Sequence, residues 1–147
     1  MDVGLQFTVI WDDADMFSLR VIASSEAFRG EAEVYVGIGQ LEEAAAILKG
    51  FPRSPADARE ITLGSFDPGF VRGAIKMRFY CSDSSGHAYV EAKIESRETP
   101  GGTRESAQLS IPIEAAALDS FVEELRRLEL RKSGIARLIR APASDRR

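Results

Sequence analysis

Apolar and polar residues alternate through much of this chain, and a two-residue period predicts strands. Leu5 to Trp11 reads as a first strand, and Phe17, Leu19 and Val21 mark a second. Asp12-Asp13-Ala14-Asp15 between them reads as a turn, because aspartate side chains bond the local backbone. After a loop over Ser24 to Gly30, Ala32, Val34 and Val36 mark a third strand, with Tyr35 on its other face.

The period then changes. Leu41, Ala44, Ala45 and Leu48 share one helical stripe between Gly39 and Gly50. Gly50 is placed to stop that helix, Pro52 lies just beyond it, and Phe51 is expected to fold back onto the core. Ile61 and Leu63 suggest a short strand. Ile75, Met77, Phe79 and Cys81, then Ala88, Val90, Ala92 and Ile94, make the clearest hairpin, around a Ser82 to Gly86 turn. Leu109, Ile111 and Ile113 form the last strand, which Pro112 pushes to a sheet edge or stops from pairing. Leu118, Phe121, Val122, Leu125 and Leu128 form the apolar stripe of the strongest helix, Glu114 to Leu130. Ser133-Gly134 ends that pattern.

The order is therefore βββαββββα. Adjacent strands joined by short turns imply a mainly antiparallel sheet of six to seven strands, and two amphipathic helices need one apolar sheet face to cover. The expected fold is α+β, one domain over residues 1–130, followed by a basic, mobile tail over 131–147 that contains Pro142. In the central hairpin, pairs whose numbers sum to 167 place Tyr80 opposite His87, Arg78 opposite Tyr89 and Lys76 opposite Glu91.

Charge divides the chain. Residues 1–130 hold 13 Lys/Arg and 22 Asp/Glu, a net of −9, whereas 131–147 hold six basic residues and one acid, a net of +5. An acidic body repels nucleic acid and anionic membrane and attracts basic partners. A nucleic-acid role for the tail is disfavoured by that body, which lacks interleaved aromatic and basic residues. One cysteine excludes an internal disulfide and any multi-thiolate metal site. No signal pattern opens the chain, and no apolar run approaches the roughly 20 residues that span a bilayer. A cytoplasmic location is the expectation, with no cofactor and no metal.

Three groups are candidates for function. Cys81 and His87, the sole cysteine and histidine, flank one turn and would be the nucleophile and base of any thiol enzyme, or the centre of a small-ligand site. Strand parity places them on opposite faces, Cys81 towards the core and His87 at the surface, unless a bulge intervenes. Asp12, Asp13 and Asp15 supply carboxylates but lack a full cation-binding loop, so a solvated turn is favoured. Tyr35, Tyr80 and Tyr89 occupy the polar parity with Arg78 nearby, as interface anchors or as ordinary cross-strand packing.

The order of features resembles a family of small bacterial immunity proteins that accompany wall-associated contact-dependent toxins. The resemblance rests on Trp11-Asp12-Asp13-Ala14-Asp15, Phe17-Ser18-Leu19-Arg20-Val21, Phe28-Arg29-Gly30, the Leu41 to Leu48 helix and the Gly86-His87 turn. It covers about residues 5–130. It implies a non-enzymatic domain that binds and blocks a toxin, often a basic nuclease. The expected binding residues are Asp12, Asp13, Asp15, Tyr35, Arg78, Tyr80, His87 and Tyr89. The alternative is an enzyme or small-ligand binder centred on the Cys81–His87 turn.

Overall fold

Every expected alternation becomes a strand in the computed structural model of the chain, which describes residues 2–69, 72–85 and 87–140. The elements are β1 (Gly4–Asp12), β2 (Met16–Ser24), β3 (Arg29–Gly37), α1 (Gln40–Leu48), β4 (Ala58–Gly64) and β5 (Ala74–Cys81). There follow β6 (Ala88–Glu95), β7 (Ser106–Ile113), α2 (Ala115–Arg131) and β8 (Ile135–Ile139). The fold is α+β, with its pairings antiparallel.

The single sheet of six to seven strands is corrected. Eight strands form two four-stranded sheets, ordered β3-β2-β1-β8 and β4-β5-β6-β7. The chain leaves the first sheet at β3, passes through α1 and starts a second sheet instead of pairing β4 with β3. The outer edge of β3 meets the second sheet at Gly73, whose N–H donates to Glu33 O (3.1 Å). A Cβ on Gly73 would stand 2.7 Å from Glu95 O and 2.9 Å from Glu33 O. Backbone lies on both sides, so only glycine lets the sheets meet this closely there. Both apolar faces and both helices contribute to one core, in which the Phe7 and Phe121 rings meet edge-on at 5.4 Å.

The boundary of the mobile tail is corrected too. Lys132, in the left-handed region, and Gly134 turn the chain back from α2. Residues 135–139 then add β8 to β1, with Ala136 opposite Phe7 and Leu138 opposite Leu5, both buried. Five residues with two inward side chains are too short to announce a period. The Glu124 carboxylate of α2 accepts a hydrogen bond from Arg137 N–H (2.7 Å) and ties this edge strand to the helix. Residues 141–147, with Pro142, lie outside the described residues, as does Gly86 of the hairpin turn.

The hairpin register is shifted by two from the expected one. Tyr80 faces Tyr89, Arg78 faces Glu91 and Phe79 faces Val90. The turn sets this: Ser82 N–H donates to His87 O (2.9 Å), and Asp83 Oδ1 accepts from Ser85 N–H (2.9 Å). A shift of two preserves which face each side chain takes. Pro112 does sit on an edge strand, β7, opposite Tyr89.

Helix α1 has no side-chain cap of its own. Glu129 of α2 supplies one, accepting from Gly39 N–H (2.9 Å) and Leu41 N–H (3.1 Å). Arg59 holds the other end, donating to Ile47 O and Lys49 O (2.8 Å each). No helix among the described residues is long and apolar enough to cross a membrane.

Candidate functional site

The expected binding residues fall into two groups on different sheets. Asp12, Asp13, Asp15 and Tyr35 lie in or beside the β3-β2-β1-β8 sheet; Arg78, Tyr80, His87 and Tyr89 lie in or beside the β4-β5-β6-β7 sheet.

On the first sheet, β1 carries a bulge between Val9 and Trp11. Val9 faces Leu19 on the core side, yet Trp11 faces Ser18 on the outer side, so Ile10 is the extra residue. Ser18 in turn faces Tyr35. Trp11, Ser18 and Tyr35 therefore form a row across three strands. The Trp11 and Tyr35 rings stack at 6.4 Å and 26°, closing over Ser18, which is 1% exposed and donates to Glu33 Oε2 (2.7 Å). Arg72 reaches Tyr35 from the other edge of β3, its guanidinium 4.7 Å from the ring centre.

The acidic turn adjoins this row. Asp13 Oδ1 accepts from Asp15 N–H (2.7 Å) and Met16 N–H (3.0 Å), the expected aspartate turn. Ile38 N–H donates to Asp15 O (3.3 Å), which seats the turn against the end of β3. Trp11 is 49% exposed and Ile38 47%. Trp11 was not among the expected site residues. Its direction depends on the bulge, and nothing in a regular alternation signals one.

On the second sheet, Tyr80, Tyr89 and Pro112 form a comparable row across β5, β6 and β7. Tyr80 and Tyr89 stack at 6.0 Å, and the Arg78 guanidinium lies 4.8 Å from the Tyr80 ring centre. All three rings of the row are half-buried. A groove of about 420 Å³ opens beside Tyr89, bordered by Pro52, His87, Pro112, Ile113 and Arg140.

Cys81 packs against the core, its Sγ 4.0 Å from Ser54 O. The His87 ring is 72% exposed, with Nδ1 2.8 Å from Asp83 Oδ2. That hydrogen bond is the main reason the Asp83 carboxyl sits below its ordinary range. The imidazole is thus oriented by a turn aspartate, and no hydrogen bond joins it to the thiol among the described residues. The Asp57 carboxyl is also lowered, first by its hydrogen bond from Arg59 and next by Arg53 N–H. Among the described residues no group of three or more His, Cys, Asp or Glu side chains is placed to hold a metal ion.

The charge division is redrawn by β8. Arg131, Lys132, Arg137 and Arg140 fall inside the folded unit, so residues 1–140 carry −5 where residues 1–130 carry −9. Arg140 is paired with Glu26. No family model, no curated protein and no solved structure matches the chain.

Proposed function

We propose that this chain is a non-enzymatic, acidic domain that binds a basic protein. Neutralisation of a basic toxin is the specific form implied by the resemblance to contact-dependent immunity proteins. The observation that carries the reading is the half-exposed Trp11, stacked on Tyr35 and seated beside the Asp12–Asp15 turn. Large amphipathic rings anchor protein interfaces because they bury much area while fixing few rotatable bonds. Carboxylates around them steer a cationic partner and set its orientation. The domain keeps its acidic excess after β8 is counted into it.

The test is affinity capture of the full chain from its host at low salt, followed by association kinetics with the captured protein. A stoichiometric basic partner is expected. Raising ionic strength from roughly 50 to 200 mM should slow its association about tenfold, because steering is screened beyond a Debye length. Absence of a partner, or an association rate indifferent to salt, overturns the reading.

A second reading has one observation in its favour. The groove beside Tyr89 has the size and the mixed apolar and polar border of a small-ligand site. Ligand-induced protection of the His87 turn from hydrogen exchange would support that alternative.

A further inference from the structure

We propose that the Trp11–Tyr35 face is a docking surface for an arginine-bearing segment of a basic protein. This rests on the protein-binding reading above and adds which surface is used and which side chain it takes.

The face already holds one guanidinium. Arg72 lies over Tyr35 at 4.7 Å, so this row accepts a planar cation within the molecule itself. Trp11, at the other end of the row, has no cation over it among the described residues. Indole is the strongest of the aromatic side chains for this interaction, and this one is 49% exposed. The row thus carries a guanidinium at its Tyr35 end and a half-exposed indole at the other.

Charge complementarity fixes the sign of the occupant. The turn that follows Trp11 carries Asp12, Asp13 and Asp15, all exposed. Asp13 spends Oδ1 on the Asp15 and Met16 amides, which holds the turn in shape. The carboxylates of Asp12 and Asp15 have no hydrogen bond or ion pair among the described residues. They stand ready for a fork of N–H donors. Arginine can stack its plane on the indole and bond carboxylates through its edge together, which an ammonium cannot do. Ile38, 47% exposed beside the turn, offers apolar area to the stem of the same side chain. The Tyr80–Tyr89 row also stacks ring on ring with a guanidinium over one ring, but its rings are half-buried tyrosines, whereas Trp11 is a half-exposed indole beside the acidic turn.

Trp11 is the only tryptophan of the chain, so its emission reports on this surface alone. The experiment titrates the full-length protein with an octa-arginine peptide and, separately, an octa-lysine peptide at low salt. A saturable change in Trp11 emission is expected with octa-arginine, and octa-lysine should bind about tenfold more weakly. Calorimetry with octa-arginine should show about a tenfold loss for Trp11→Ala and for the double variant Asp12→Asn/Asp15→Asn, and no loss for Tyr80→Ala. The double variant alters exposed side chains only and keeps the indole, so it tests the surface even if Trp11→Ala folds poorly. Unchanged emission at saturating peptide, or wild-type affinity in both variants, overturns the proposal. A captured basic partner that binds Trp11→Ala and the double variant as it binds the wild type overturns this surface and leaves the protein-binding reading intact. No captured partner overturns that reading itself.

Discussion

The two aromatic rows share a design and differ in how they are built. Tyr80–Tyr89–Pro112 lies on a regular ladder, where each residue faces its partner without interruption. Trp11–Ser18–Tyr35 exists because one extra residue, Ile10, resets the face of β1. Both rows stack ring on ring and hold a guanidinium over one tyrosine, Arg78 over Tyr80 and Arg72 over Tyr35. The bulged row ends in an indole half open to solvent beside the carboxylates of Asp12 and Asp15, which have no hydrogen bond or ion pair among the described residues. A bulge thus turns a side chain from the core-side parity into a surface feature, at the end of a strand where pairing is ending anyway. The rows differ in how open the end ring is and in the charge beside it, since Tyr80 and Tyr89 are half-buried and Trp11 is 49% exposed next to the acidic turn.

The largest effect comes from deleting one residue in each row's strand. Removing Val90 from β6 slips the ladder beyond that point and turns its apolar side chains outward. We expect no cooperative unfolding transition from that variant. Removing Ile10 leaves Val9 opposite Leu19 and Trp11 opposite Ser18 with no register shift. That variant should fold and lose only about 1 kcal/mol in urea denaturation, with the Trp11 emission retained. Equal outcomes for the two deletions would end the distinction between the rows.

A smaller effect tests the seam between the sheets that carry them. Gly73→Ala should cost about 2 kcal/mol, since the added methyl meets backbone oxygens that cannot swing away. Gly101→Ala, where the nearest atom is a side-chain oxygen at 3.9 Å, should stay within about 0.5 kcal/mol. If the two substitutions cost the same, the close approach at Gly73 is not what holds the sheets in place.

The smallest effect is a dependence on pH from two carboxyls, Asp57 just before β4 and Asp83 in the β5–β6 turn. Asp57 and Asp83 both have folded carboxyls lowered by a partner, Arg59 and His87 respectively. Each therefore contributes stability that is complete above the ordinary range near pH 4 and is lost as pH falls through the lowered folded value. Denaturation followed from pH 6 to pH 2 should show this acid limb. Asp57→Asn should lower stability at neutral pH and make the limb shallower.

Much of the architecture was legible in the chain. The alternations at Phe17–Val21, Ala32–Val36 and Ile75–Cys81 placed strands where they are, and the Leu118–Leu128 stripe placed α2. Parity also placed Cys81 inward and Tyr80 and Tyr89 outward, despite a register two residues out. The site was less legible. Tyr35 and the Asp12–Asp15 turn were readable from local chemistry, but the residue that joins them, Trp11, was hidden by the bulge.

The sequence by itself determined which segments are strands and helices and which face of each is apolar. These are properties of neighbouring residues and of periods of 2 and 3.6. Tertiary structure alone decided that β3 and β4 belong to different sheets, that 135–139 completes the first of them, and that Glu129 caps a helix some ninety positions away in the chain (|i−j| = 90 to Gly39). Each depends on which distant backbone groups meet, and a hydrogen bond between remote residues leaves no period in either segment.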